Sequence, residues 1–152
     1  MDEKVKIKIE HEISRIGKLI SDAKPLLDLC ELKEPDFIQI TAAAQVLHSF
    51  YNGIEGVVIL YFKNTGEVLP NDTRWHKTLF EMIFGKNAKE NKLINDKIKE
   101  KLEKYLLFRH YIRHAYTSEL IWEEFKPLVN GLREIWEKIK IDFEKLLNDN
   151  QN

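Results

Sequence analysis

Cysteine is nearly absent from this chain of 152 residues, which carries one, Cys30. A lone thiol forms no intrachain disulfide, so a disulfide-stapled scaffold is excluded and a reducing, cytoplasmic compartment is expected. Cys30 itself lies in an apolar helical stretch and reads as a small buried hydrophobe rather than a nucleophile. Glycine and proline are also scarce, six and four residues, which leaves few interruptions and favours long helices. The longest apolar run, Val57 to Phe62, is far below membrane-spanning length, and Met1 leads into a charged segment, so neither a signal peptide nor a transmembrane helix is expected. Excess charge of one sign is missing as well. With 24 basic against 25 acidic residues and a net charge of −1, no overall positive field gathers nucleic acid or acidic membrane from a distance. Any anion must be held locally.

What is present describes one globular domain over residues 1–152, 43% hydrophobic and 32% charged, large enough for a single core. Val5, Ile7 and Ile9 alternate with lysines, but Ile9, Ile13, Ile16, Ile20, Ala23 and Leu27 step by three and four. That spacing predicts one helix over about residues 3–31, kinked at Pro25. Glu34-Pro35-Asp36 stops it and starts a second, running to Asn64-Thr65-Gly66 and apolar nearly all round, as befits the central member of a bundle. After the loop Leu69-Pro70-Asn71-Asp72-Thr73 comes a short helix from Arg74 to Phe84, closed by Gly85. Its Trp75 and His76 could stack on a base, but anchoring the helix to its neighbours is the simpler reading. A lysine- and asparagine-rich turn over residues 86–92 precedes a fourth helix, whose core stripe is Ile94, Ile98, Tyr105, Phe108 and Ile112. The last helix starts near Leu120 or Ile121, with Pro127 in its early turns, and carries Ile121, Phe125, Leu128, Leu132, Ile135, Ile139, Phe143 and Leu146 near half-heptad spacing. The expected fold is all-α, an antiparallel bundle of four long helices and one short one.

The chemistry concentrates in Phe108-Arg109-His110-Tyr111-Ile112-Arg113-His114-Ala115-Tyr116. At about 100° per residue, with Arg109 at zero, Arg113 falls near 40°, His110 near 100° and His114 near 140°, so all four share one face, opposite Tyr105, Phe108, Tyr111, Ile112 and Ala115. Leu102 and Leu106 fall on the basic side, which suggests that another chain covers it. A solvated basic helix face is the ordinary explanation of such a cluster. A di-iron centre would need Glu-x-x-His pairs, which the chain lacks, and there is no glycine-rich phosphate loop or zinc cysteine cluster. His110 and His114 have the spacing of a two-histidine metal half-site, but flanking arginines and the lack of a nearby carboxylate in the motif repel a cation, so no metal or other cofactor is expected. An anion suits the face better. Arginine grips phosphate through a planar fork, and imidazoles beside guanidiniums remain available as bases. These are the parts needed to cleave RNA without metal: a base for the 2′-hydroxyl, cations for the pentacovalent phosphate and an acid for the leaving 5′-oxygen.

Arg109-His110-x-x-x-His114 resembles the signature of the HEPN superfamily, and His114-Ala115-Tyr116 resembles the Arg-x4-His-x-Tyr form of HepT-type toxins. Phe50-Tyr51-Asn52-Gly53-Ile54-Glu55, Trp75-His76 and the segment from Phe108 through Trp136 are similar to the same branch, so the resemblance covers most of residues 35–145. It implies an all-α bundle that dimerises with motif helices lining one cleft, and a metal-independent endoribonuclease toxin. It also implies a partner, a small nucleotidyltransferase antitoxin of the MNT type that in some systems transfers AMP to the motif tyrosine. Carried onto this chain, Arg109 contacts phosphate and His114 is the acid or base. His110 takes the polar supporting position, and Tyr116 is the modifiable tyrosine. Arg113 lies in the spacer, so its supporting role rests on the wheel alone. Glu55 receives no role from the resemblance. The alternative is a non-catalytic HEPN module that binds a nucleotide or a partner protein; the intact Arg109, His114 and Tyr116 favour the enzyme.

Overall fold

The computed structural model describes residues 1–85 and 92–149. Seven α-helices occur among them, and no strand. They are α1 Glu3–Asp22, α2 Lys24–Leu32, α3 Phe37–Thr65, α4 Trp75–Ile83, α5 Lys99–Ile112, α6 Trp122–Asn130 and α7 Leu132–Asp149. The all-α bundle is thus as expected, but seven helices replace five because both flanking long helices break. The lysine- and asparagine-rich turn expected over residues 86–92 falls mostly outside the described residues.

The first break is at Ala23, between α1 and α2, with Pro25 in the first turn of α2. A proline there can donate no hydrogen bond to the turn behind it, so the ladder stops and restarts rather than merely bending. The second is at Gly131. Pro127 lies inside α6, and the Gly131 N–H closes on the Pro127 carbonyl at 3.0 Å. The Tyr105 hydroxyl, buried, donates to the Leu128 carbonyl at 2.6 Å and takes up a carbonyl at this joint. A Cβ at residue 131 would stand 3.0 Å from the Pro127 oxygen, which suits glycine to the corner. Ile121, expected in the packed stripe, precedes α6 and is exposed, while Phe125, Leu128, Leu132, Ile135, Ile139 and Phe143 are buried as expected. Arg133 ties the two broken halves together, donating to Asp28 at 2.6 Å and Glu31 at 2.9 Å.

By contrast α3 is continuous for 29 residues, about 44 Å at 1.5 Å per residue. A reciprocal capping box starts it: Gln39 N–H donates to the Asp36 side chain at 2.8 Å, and the Gln39 side chain accepts from the Asp36 N–H at 2.9 Å. Gly66, at φ 79°, ends it in the left-handed conformation that glycine adopts without a Cβ penalty. Phe50 at its middle is fully buried, edge-on to Tyr105 of α5 at 5.5 Å and to Trp136 of α7 at 6.4 Å. Helices α1, α2, α4, α5 and α6 all pack on α3, the central position that its all-round apolar pattern foretold. Gly53 lets α1 approach, since a Cβ there would lie 2.6 Å from Ile16 Cγ1.

The face assignment of α5 is corrected. Leu102 and Leu106 are buried inside the bundle, not displayed on a basic face. The buried arc of α5 therefore runs from Phe108 through Tyr105 to Leu106, and Arg109 sits within it, its side chain only 12% exposed. Tyr111, placed in the core stripe by the wheel, is instead exposed together with Leu107. The cause is that α5 packs against α3, α4 and α6 at once, so a single narrow stripe underestimates its covered surface.

Candidate active site

Helix α5 ends at Ile112, with Arg113 as its C-cap. The N–H groups of His114 and Ala115 both turn back to the Tyr111 carbonyl at 3.1 Å, so His114 stands in a tightened turn just past the helix. Tyr116 then caps a short 3₁₀ turn, Thr117–Glu119, its N–H donating to Glu119 Oε2 at 3.2 Å. The residue is 77% exposed. His110, Arg113 and His114 are exposed as expected, and the two imidazoles face each other edge-on, centroids 5.1 Å apart.

Arg109 has a different setting from the other three. Its Nε donates to Asn52 Oδ1 at 2.9 Å and lies 3.6 Å from Glu55 Oε1. Neither terminal nitrogen has a protein partner among the described residues, and neither is among the buried unpartnered atoms, which are His48 Nδ1 and the Tyr51 hydroxyl. The fork of the guanidinium therefore reaches solvent while its root is anchored. No hydrogen bond joins Arg109 to His110 or His114, so the motif comprises an anchored cation beside α3 and an exposed imidazole pair at the helix end.

The carboxylate that the motif itself lacks comes from α3. Glu55 is 3% exposed, and its Oε2 pairs with His76 Nδ1 at 2.6 Å. Burial pushes the Glu55 carboxyl above the usual range, against the opposing pull of His76 and Arg109. Trp75 lies tilted against the His76 ring, 3.5 Å between centroids, and packs on the core while His76 ties α4 to Glu55 of α3, in keeping with the anchoring reading of this pair. One turn and two turns before Glu55 on α3 lie Asn52 and His48. His48 is held below its ordinary value by desolvation and then by Arg109 and Arg113, which favours the neutral imidazole. Burial, with Glu55 nearby, raises the ionisation of Tyr51 beyond the physiological range.

Sequence reading missed Glu55, His76, Asn52 and His48 as site neighbours. Two signals were available: the resemblance carried by Phe50 to Glu55 and by Trp75-His76, and Glu55 itself, a carboxylate amid Tyr51, Ile54, Val57 and Val58, where burial without a counter-charge is costly.

The geometry is that of an all-helical bundle with an anchored arginine and exposed histidines at one end of α5. A family model described as HepT-like protein matches residues 42–150. The chain belongs to the HepT-like family of the HEPN superfamily, a family associated with toxin modules and ribonuclease activity. No curated protein and no solved structure matches it. Among the described residues no helix is long and apolar enough to cross a membrane.

Proposed function

We propose that this protein is a metal-independent endoribonuclease and the toxin of a HEPN/MNT-type toxin–antitoxin pair, acting in the cytoplasm. The observation that carries the reading is the split state of Arg109, rooted by Asn52 with its fork open to solvent, on the helix that ends in the His110–His114 pair. Family membership supports it.

In this mechanism the Arg109 fork binds the scissile phosphate, assisted by Arg113. One imidazole, that of His114, takes the proton of the 2′-hydroxyl as its oxygen attacks phosphorus. The bond to the 5′-oxygen breaks, and that oxygen leaves with a proton from an imidazolium on the opposite side. The product is a 2′,3′-cyclic phosphate. A single exposed patch does not reach both sides of an in-line displacement, so a two-fold homodimer supplies the second histidine. Leu107 and Tyr111, exposed beside His110 on α5, take over the contact role expected of Leu102 and Leu106. An MNT-type nucleotidyltransferase serves as antitoxin, with Tyr116 as the residue that receives AMP. A phosphodiester there competes with RNA for the guanidiniums, and Tyr116→Phe should escape modification while remaining folded.

The test is cleavage of single-stranded RNA in EDTA, with a 2′,3′-cyclic phosphate or its hydrolysis product at the new end and loss of cleavage in His114→Ala. Activity that vanishes with chelator and returns with Mg²⁺ overturns the metal-free mechanism. RNA binding without any cleavage points instead to the non-catalytic module.

A further inference from the structure

Glu55 sits within reach of the His76 imidazole and the Arg109 guanidinium and is bonded closely only to the first. Its Oε2 is 2.6 Å from His76 Nδ1, whereas its Oε1 is 3.6 Å from Arg109 Nε, longer than a good charge-assisted hydrogen bond. The Arg109 Nε proton goes to Asn52 Oδ1 instead, at 2.9 Å. A carboxylate that is 3% exposed has a strong tendency to form a bidentate pair with the nearest guanidinium. Such a pair on Arg109 would consume its terminal nitrogens. Here one oxygen is held by α4, and the fork stays free.

We infer that His76 is a positioning residue for Arg109: by holding the Glu55 carboxylate toward α4, it keeps the guanidinium fork available for a phosphate. The role rests on the ribonuclease reading for its substrate, but not for its geometry. Trp75 stiffens the arrangement by its tilted ring contact with His76, 3.5 Å between centroids. Asn52 completes it by accepting the hydrogen bond from Nε–H, so the two partners fix opposite ends of the choice that Arg109 faces. The Trp75-His76 pair thereby acts on the phosphate site without lying on the motif helix.

Removing the imidazole should release Glu55 onto Arg109. His76→Ala is then expected to raise KM for single-stranded RNA about tenfold, which corresponds to about 1.4 kcal/mol, with a smaller change in kcat. Adding Glu55→Gln removes the charge that captures the fork, so the double variant should recover most of that loss. His76→Gln, which can still donate to Glu55, should retain most of the wild-type KM. A histidine that merely docks α4 gives the opposite pattern, since Glu55→Gln then restores nothing.

The Arg109 Nε–H resonance, followed by NMR in the full chain, provides a readout independent of activity. It should shift in His76→Ala and return in the double variant. If the resonance behaves so but wild-type protein cleaves no RNA, the ribonuclease reading fails and the positioning role stands. A resonance and a KM unmoved by His76→Ala, or a loss that Glu55→Gln does not restore, overturns the inference. Should His76→Ala not fold, His76→Phe, which keeps a packed ring but cannot donate to Glu55, takes its place: a resonance and a KM identical to wild type in that variant remove the coupling.

Discussion

Truncating Arg109 to alanine should cost both activity and stability, whereas the same change at His114 should cost activity alone. The stability loss can be worked from its contacts. Arg109→Ala removes the hydrogen bond from Nε to Asn52 Oδ1, 2.9 Å long and worth roughly 1 kcal/mol net. It also takes a cation from beside Glu55, 3.6 Å away and buried. Breaking a tight buried ion pair costs about 3–5 kcal/mol, but this contact is long and His76 remains on the other oxygen, so about 1–2 kcal/mol is the appropriate share. The sum, about 2–3 kcal/mol, lowers the melting temperature by roughly 5–10 °C in a domain of this size. His114, exposed in the turn after α5, should change stability by no more than about 0.5 kcal/mol. Thermal unfolding followed by circular dichroism compares the two directly. Adding Glu55→Gln to Arg109→Ala should recover the Glu55 share, about 1–2 kcal/mol, since a neutral amide needs no counter-charge, and should leave the Asn52 share lost. An Arg109→Ala protein that melts with wild type refutes the anchored geometry, and one whose loss Glu55→Gln does not reduce refutes the electrostatic account.

Gly53→Ala gains roughly 0.5–1 kcal/mol of helix propensity but drives a methyl to 2.6 Å from Ile16 Cγ1, an overpacking worth about 1–3 kcal/mol; chemical denaturation should show a net loss of about 1 kcal/mol, and a midpoint raised by the substitution disproves the close approach. His48 has a folded-state value below its ordinary 6.5, so its contribution is complete above 6.5 and is lost as pH falls through the lower folded value. His48→Gln should flatten that acid limb of the stability–pH curve, and an unaltered limb would assign it to other groups.

Much of the scaffold was legible because it is encoded locally. The Asp36 cap, the Gly66 stop and the all-round apolar pattern of α3 lie within a few turns of one another, and α3 follows them. Pro25 and Pro127 were visible too, but whether a proline bends a helix or divides it depends on neighbours. At Gly131 the deciding partner is the Tyr105 hydroxyl, 23 positions from the Leu128 carbonyl it meets. The motif was legible in composition and only half legible in placement. A helical wheel assumes one packed side and an unending helix, whereas α5 has three packed neighbours and stops at Ile112, so Arg109 lies in the covered arc, His110 lies outside it, and Arg113 is exposed because it stands at the C-cap. The pairing of Glu55 with His76 spans 21 positions across a loop, and no periodicity encodes it.

The two helix breaks have a mechanical consequence. Ala23 and Gly131 make α2 and α6 short arms, and those arms pack on each other. Arg133, two residues past the second corner, grips Asp28 and Glu31 on the first arm. A bend at either corner therefore loads the other through a guanidinium strap rather than dissipating along one helix. Two residues separate α6 from the 3₁₀ turn Thr117–Glu119 that Tyr116 caps, so this strapped pair of arms adjoins the end of the bundle where His114 and Tyr116 lie, while α3 runs past both corners unbroken.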